Sequence, residues 1–205
     1  CSSVTIALST SGTALAGTDY TNIEDIVIPS NGSVGTTTFT PTDDSILEAH
    51  ETAVIDISSV SGVSASENGT QQVTLTITDN ETPPTVTLSS SASTIAENDS
   101  GTITLTATLS TPTYENVTVA LSSTGTALEG TDYGNIADIT ISAGSTTGTV
   151  VFDPTDDTIY EINETAIFDI SSVSGGRASE SGSQQVSLTI TSEENAPTLT
   201  LSSSA

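Results

Sequence analysis

The residues with the clearest potential for chemistry are acidic side chains that recur at a fixed spacing. The pattern DD-x3-E-x2-E occurs twice, and each copy is accompanied by an Asp in GTDY and by an acidic stretch after a V-x-L-x-I run. The acids are Asp19, Asp43, Asp44, Glu48, Glu51 and Asp79 in the first copy, and Asp132, Asp156, Asp157, Glu161 and Glu164 in the second. Carboxylates this close together repel one another unless a cation or water neutralises them.

Calcium is the metal that suits such a set of side chains. It binds carboxylate and carbonyl oxygens in flexible geometry, whereas magnesium requires a strict octahedron and transition metals prefer imidazole or thiolate ligands. Between the two copies the intervening residues change, for example His50 to Asn163, while all the acids of DD-x3-E-x2-E are kept. This pattern favours a calcium site, and solvated loop acids are the alternative interpretation.

The overall charge narrows the range of partners. The chain carries 26 Asp and Glu against a single Lys or Arg, for a net charge of −25. Nucleic acid and anionic membrane surfaces are therefore excluded, because binding to phosphates requires a basic face. No apolar run is long enough to insert into a membrane. One cysteine, Cys1, excludes an intrachain disulfide.

The acidic motifs belong to a long internal repeat. Residues 4–92 align without a gap with residues 117–205, at an offset of 113 positions. Residues 84–197 form one complete unit, residues 1–83 match only its later part, and residues 198–205 repeat its opening strand. The sequence thus predicts an array in which neighbouring copies complete each other, by covalent continuation or by strand donation. A closed sandwich formed by 1–83 alone would contradict this hypothesis.

The sequence predicts that β-strands position these acids. Apolar residues alternate with Thr and Ser in several short runs of the complete unit, such as 103–107, 117–121 and 186–190. This period of two, with turn residues between the runs, predicts an all-β fold of tandem immunoglobulin-like antiparallel β-sandwiches.

The ordered motifs resemble a known family. The order A-x-x-G-x-D-Y, then DD-x3-E-x2-E, then V-x-L-x-I with an acidic tail is similar to the Calx-beta repeat. The resemblance implies an immunoglobulin-like sandwich with calcium bound among the loops at one end. Carried over by motif, it implies ligands at Glu97 and at the acids of both copies given above. The tail of the second copy, TSEE, lacks the Asp that the family usually carries and that the first copy has in TDNE.

N-x-S/T sequons are dense and make N-glycosylation a further expectation. They lie at Asn31, Asn68, Asn80, Asn98, Asn116 and Asn163.

These features predict a structural or adhesive repeat module rather than an enzyme. His50 is the only histidine and its counterpart is Asn163, so histidine-based activation of a nucleophile is not shared by the copies. We expect an extracellular or cell-surface protein, forming a calcium-stiffened spacer or filament of an adhesin. Expected partners are neighbouring copies of the repeat, with glycans or a host or cell surface as further candidates. The alternative function is a calcium-sensing regulatory or ligand-binding module of a surface receptor.

Overall fold

The computed structural model describes residues 2–98 and 100–203 and divides the chain into two compact units, Cys1–Glu81 and Thr82–Ala205. We call them the N-terminal unit and the C-terminal unit. The all-β fold predicted from the alternating pattern is confirmed, because the described residues form strands, turns and loops. Within these residues there is no helix with the length and apolarity needed to cross a membrane.

Among its described residues, 2–81, the N-terminal unit forms one four-stranded antiparallel sheet with the strand order β2-β1-β3-β4. Its strands are β1 (Val4–Gly12), β2 (Ile26–Ile28), β3 (Glu51–Ser61) and β4 (Gln72–Ile77). The described residues of this unit therefore do not form a closed sandwich.

The C-terminal unit is a sandwich of two sheets, with strand orders β10-β7-β5-β12 and β6-β13-β11-β8-β9. Its strands are β5 (Thr85–Ser90), β6 (Thr94–Ala96), β7 (Ile103–Leu109), β8 (Val117–Gly125), β9 (Ile139–Ile141), β10 (Thr147–Phe152), β11 (Glu164–Ser174), β12 (Ser179–Glu180) and β13 (Gln185–Thr191). The short strands β6 and β12 pair parallel to β13 and β5. These two pairings depart from the predicted purely antiparallel arrangement.

The core of the C-terminal unit follows from the period of two along each strand. In β7 the odd-numbered side chains, such as Leu105, are buried, and the intervening threonines point outward. An aromatic cluster fills the end of the core, where the ring centroids of Tyr133 and Phe152 lie 5.0 Å apart and those of Phe152 and Phe168 lie 5.7 Å apart. All three rings are almost fully buried.

The apolar face of the N-terminal sheet is covered much less. Val73 of β4 is 55% exposed, whereas its repeat counterpart Val186 in β13 is 7% exposed. The buried core of this unit is small and centres on Tyr20, whose ring centroid lies 4.8 Å from that of Phe39. The difference arises because no second sheet lies over this face among the described residues of the unit.

The segment 198–205, predicted as the first strand of a following repeat, forms no strand over 198–203. Leu199 and Leu201 are 99% and 100% exposed. Ser204 and Ala205 lie outside the described residues, as does Cys1. The same sequence pattern at 85–90 forms β5 because β7 offers it a hydrogen-bonding edge.

Candidate metal centres

A tight turn fixes the first acidic side chain of each copy. In the N-terminal unit, the Leu15 backbone N–H donates to Asp19 Oδ2 at 2.5 Å, and the Asp19 N–H donates to the Leu15 carbonyl at 2.9 Å. The next residue, Tyr20, is 1% exposed and anchors the turn in the core. The C-terminal unit repeats this arrangement, with the Leu128 N–H donating to Asp132 Oδ2 at 2.6 Å. Both carboxylates are therefore held at a defined position beside the end of a sheet.

The DD-x3-E-x2-E loop leads directly into a central strand. Asp44 Oδ1 accepts the Ile46 N–H at 2.7 Å, which folds the loop back on itself. Leu47 is fully buried and holds the loop against the unit. Glu51 is the first residue of β3 and pairs with Ile77 at the end of β4. This antiparallel register brings the tail after β4 to the start of β3.

The tail closes the N-terminal site. Asp79 Oδ1 accepts the Glu48 N–H at 3.0 Å, while the Asp79 N–H donates to His50 Nδ1 at 3.1 Å. Asp43 Oδ1 accepts from Asn80 Nδ2 at 3.2 Å. The loop and the tail are thus joined by hydrogen bonds on both sides of the site.

Carboxylate oxygens from three separate segments meet in the N-terminal unit. One oxygen each from Asp19, Glu48 and Glu51 lies within 4.8 Å of the others. These three side chains line a cavity of about 380 Å³ together with further acids, namely Asp43, Asp44, Asp79 and Glu81. A donor set made of carboxylates, without thiolate or imidazole, fits a hard cation.

The described residues of the C-terminal unit contain two such groups. Asp132, Glu161 and Glu164 repeat the first group, with one oxygen of each within 4.8 Å of the others. In the second group, one carboxylate oxygen each from Glu97, Glu193 and Glu194 lies within 4.8 Å of the others. It forms because β6 and β13 run parallel and in register, so the residues that follow the two strands meet. These acidic groups, together with that of the N-terminal unit, could each hold a metal ion.

A serine replaces one acid in the C-terminal unit. Ser192 stands where the N-terminal unit has Asp79, and its Oγ accepts the Glu161 N–H at 3.3 Å. The same hydroxyl donates to Glu194 Oε2 at 2.8 Å. The loop is thus anchored as in the first copy, but with a neutral group. The cavity here is about 10 Å³, far smaller than in the N-terminal unit.

Most residues predicted as ligands from the sequence lie around these cavities. All six predicted acids of the N-terminal unit line one cavity. In the C-terminal unit the cavity is lined by Glu97, Asp132, Asp157, Glu161 and Glu164.

One predicted ligand stands apart, and several groups near the sites were not predicted as ligands. Asp156 is exposed and does not line the cavity of its unit. Glu81, Glu193 and Glu194, together with the Ser192 hydroxyl, were not predicted as ligands. Their position directly after the last strand of each copy was the available signal.

Burial and mutual repulsion raise the pKa values of several of these glutamates. Burial, the negative charge of Asp19 and a hydrogen bond with Asp19 raise the pKa of Glu51 to about 7. Burial and the same two interactions with Asp132 raise the pKa of Glu164 to about 7. Burial is also the first cause of the raised pKa of Glu97, which is 5% exposed. The sites therefore favour a proton or another cation.

We expect the metal-free chain to lose stability as the pH rises from 5 to 8. Glu51 and Glu164 have folded-state pKa values of about 7, above the ordinary value of 4.5. Between these values the folded state binds more protons than the unfolded state, so the free energy of unfolding falls with rising pH. Urea unfolding in the presence of a chelator measures this slope.

The variant Glu51→Gln/Glu164→Gln is expected to flatten the slope, because glutamine imitates the protonated acid. A charge-matched control is Glu24→Gln/Asp153→Asn, which removes exposed acids outside the acidic groups. The control should keep the slope of the unaltered chain. Equal slopes in all three proteins would contradict the pKa assignment.

The asparagines of the six sequons are all exposed, at Asn31, Asn68, Asn80, Asn98, Asn116 and Asn163. Asn116 Oδ1 accepts the Ala143 N–H at 2.9 Å.

Comparison with solved structures found Calx domains of low identity. The apo form of the Calx CBD1 domain is 18% identical and has a TM-score of 0.45, over 54% of this chain and 99% of that one. The calcium binding domain CBD12 of CALX1.1 is 14% identical with a TM-score of 0.38, over 93% and 87%. CBD12 from CALX1.2 is 14% identical with a TM-score of 0.42, over 94% and 88%. The fold assignment rests on the strand pairing described above and not on these similarities.

Two family models match consecutive parts of the chain. The Calx-beta domain matches residues 2–81, and the LapA domain matches residues 82–193. No curated protein matches the chain. The two matched ranges coincide closely with the two compact units, and both families consist of non-catalytic modules. The resemblance to Calx-beta inferred from the acidic motifs is thereby confirmed. The chain belongs to the LapA domain family through its C-terminal unit, and residues 2–81 match the Calx-beta domain model.

Proposed function

We propose that the chain is a structural repeat module of an extracellular or cell-surface protein, in which bound calcium stiffens a spacer or filament. The observation that carries the proposal is that the same cluster of three carboxylates recurs in both units. Asp19, Glu48 and Glu51 in one unit and their counterparts Asp132, Glu161 and Glu164 in the other each bring three oxygens within 4.8 Å. The domain families of the two units support a surface or calcium-binding role.

Calcium would act by joining segments that are distant in sequence. Asp19 follows β1, Glu51 begins β3, and the tail after β4 supplies Asp79. A cation shared by these segments offsets their repulsion and restrains the loops at one end of the unit. A ligand that binds only the folded state at about a hundredfold above its Kd stabilises that state by roughly 2.7 kcal/mol.

The alternative is a calcium-sensing module of a surface receptor. The difference between the two units favours this alternative, because the Asp79 position is a serine in the C-terminal unit. Two sites of unequal charge would fill at different calcium concentrations. A sensor must also change conformation when calcium binds, and a spacer need not. Comparing the hydrodynamic radius with and without calcium discriminates between the two functions.

The direct test is a calorimetric titration of calcium into the chelator-treated chain, paired with thermal unfolding by circular dichroism. We expect heat of binding and a melting temperature that rises by several degrees, since about 1 kcal/mol corresponds to roughly 4–8 °C in a small domain. Glu51→Gln/Glu164→Gln should weaken both effects, because each substitution removes one charge from its group; the group of Glu97, Glu193 and Glu194 is left unaltered.

The control Glu24→Gln/Asp153→Asn carries the same change in net charge at acids outside the groups. It should bind calcium like the unaltered chain. If neither heat nor a thermal shift appears in the unaltered chain, calcium has no role and the acids serve solvation alone.

A further inference from the structure

Two loops of the N-terminal unit contain the dipeptide Asn-Gly, formed by Asn31 with Gly32 and by Asn68 with Gly69. The other asparagines of the chain are each followed by a residue that bears a side chain. Asparagine is chemically labile, since the main-chain nitrogen that follows it can attack its side-chain amide. A following glycine hinders this attack least, because it has no Cβ. The two dipeptides are therefore the positions at which the chain could modify itself without an enzyme.

The first dipeptide is held in a tight turn. The Gly32 N–H donates to the Pro29 carbonyl at 2.9 Å, which closes a β-turn. Asn31 adopts the left-handed conformation within this turn, with a φ of 63°. A Cβ built on Gly32 would lie 2.9 Å from Pro29 Cγ, so the proline ring also covers this glycine. The nitrogen that would have to attack is both hydrogen-bonded and covered.

The second dipeptide is anchored around the reacting nitrogen but not at it. The Gln71 N–H donates to Glu67 Oε1 at 2.6 Å, and Gln71 Nε2 donates to the Asn68 carbonyl at 2.8 Å. The Gly69 N–H donates to no acceptor among the residues that the structure describes. A Cβ built on Gly69 would contact nothing within 4 Å, and Asn68 is exposed. The Gly69 nitrogen can therefore approach the Asn68 side chain without breaking a hydrogen bond.

The C-terminal unit contains both loops with the same contrast. Ser145, the counterpart of Gly32, donates its N–H to the Ser142 carbonyl at 2.9 Å. Gly182, the counterpart of Gly69, has a φ of 69° against 72° for Gly69. A Cβ built on Gly182 would again contact nothing within 4 Å, and its N–H has no acceptor within the described part of the chain. The open nitrogen is thus a property of this loop in a sandwich of two sheets as well.

We propose that Asn68 is a site of spontaneous main-chain modification, at which the Gly69 nitrogen attacks the side-chain amide. A bond forms between the Gly69 nitrogen and Asn68 Cγ, the Cγ–Nδ2 bond breaks, and ammonia leaves with the proton of the Gly69 N–H. Water then adds to the cyclic imide and opens it to aspartate or to isoaspartate. No oxidant or reductant takes part.

The product changes both the charge and the main chain of the loop between β3 and β4. Either acid adds a negative charge next to Glu67, in a chain whose net charge is already −25. In isoaspartate the main chain runs through Cβ and Cγ, which lengthens the loop and displaces the oxygen that accepts from Gln71 Nε2. The C-terminal unit cannot react in this way, because Gly144 and Ser181 stand at its two equivalent positions. The modification thus makes the two units chemically different with time.

Mass analysis of peptic peptides tests the proposal on the whole folded chain. The chain is kept in warm, mildly alkaline buffer and digested at acidic pH, and the acid formed at each asparagine is measured over time. We expect Asn68 to convert about tenfold faster than Asn31, because the turn at Asn31 must first lose a hydrogen bond. In urea the two should convert at similar rates, since the dipeptide is the same. Equal rates in the folded chain, or a faster Asn31, would overturn the proposal.

Moving the dipeptide into the C-terminal unit shows whether the loop decides the rate. Ser181→Asn creates Asn-Gly in the open loop and should convert as fast as Asn68. Gly144→Asn/Ser145→Gly creates it in the hydrogen-bonded turn, where Gly144 already has a φ of 74°, and should convert as slowly as Asn31. Slow conversion of the first variant or fast conversion of the second would show that the unpaired nitrogen is not the cause.

Discussion

Replacing Phe152 by Ala is expected to destabilise the C-terminal unit by about 3–5 kcal/mol, the range for truncating a buried aromatic side chain. The Phe152 ring is fully buried, and its centroid lies 5.0 Å from that of Tyr133 and 5.7 Å from that of Phe168. Truncation leaves a cavity that these two rings cannot fill without leaving their own positions. Urea unfolding, combined with amide hydrogen exchange that resolves the two units, measures the loss.

The repeat offers a matched comparison at Phe39, the counterpart of Phe152. Phe39 is only partly buried and contacts one aromatic ring, Tyr20, because Ile55 stands where the C-terminal unit has Phe168. Phe39→Ala should therefore destabilise the N-terminal unit by a clearly smaller amount. Equal losses from the two substitutions would show that the uncovered face is as well packed as the sandwich core.

Exchanging Asp79 and Ser192 between the units is expected to exchange their calcium affinities. Ser192→Asp adds a carboxylate beside Glu161 and Glu194, and we expect the C-terminal unit to bind calcium about tenfold more tightly, or about 1.4 kcal/mol. Asp79→Ser should weaken binding in the N-terminal unit by a similar factor. Calorimetric titration of each variant measures both changes.

Neutral replacements show whether the charge or the size of the side chain at positions 79 and 192 causes the difference in calcium affinity. Ser192→Asn and Asp79→Asn keep a polar side chain of aspartate size but remove the charge. Ser192→Asn should not reproduce the gain seen with Ser192→Asp, and Asp79→Asn should weaken binding as Asp79→Ser does. If Ser192→Asn tightened binding as much as Ser192→Asp, the difference between the units would arise from side-chain size and not from the number of charges.

The long strands could be read from the sequence because alternation over five or more residues fixes which side faces a core. Strands β6 and β12 could not, because three and two residues carry no measurable period. The counterpart of β10 at 34–39 shows a further limit: it keeps the phenylalanine, with Thr37 where β10 has Val150, and it forms no strand. Its pairing partner in the C-terminal unit is β7, which has no counterpart among residues 2–81. Strand formation there depends on a neighbour that local sequence does not encode.

The acidic groups were predictable because the repeat marked which acids stay fixed while their neighbours change. What the motif could not supply was the direction of each side chain. Asp43 lines the N-terminal cavity, whereas its counterpart Asp156 remains outside the C-terminal one. The tail acids Glu193 and Glu194 join Glu97 only because two strands far apart in sequence end side by side. The contact between these acids depends on the pairing of β6 with β13, which the motif does not encode.

The parallel pairing of β6 with β13 determines how the C-terminal unit responds to tension. Force entering near the start of the unit and leaving after β13 pulls these two strands past each other along their length. The bonds from the Thr189 N–H to the Ser93 carbonyl and from the Glu97 N–H to the Thr191 carbonyl are then loaded together instead of opening one after another. Glu97 directly follows β6, and Glu193 lies two residues after the end of β13. A cation bound there would link the ends of β6 and β13, whose pairing must break before the unit unfolds.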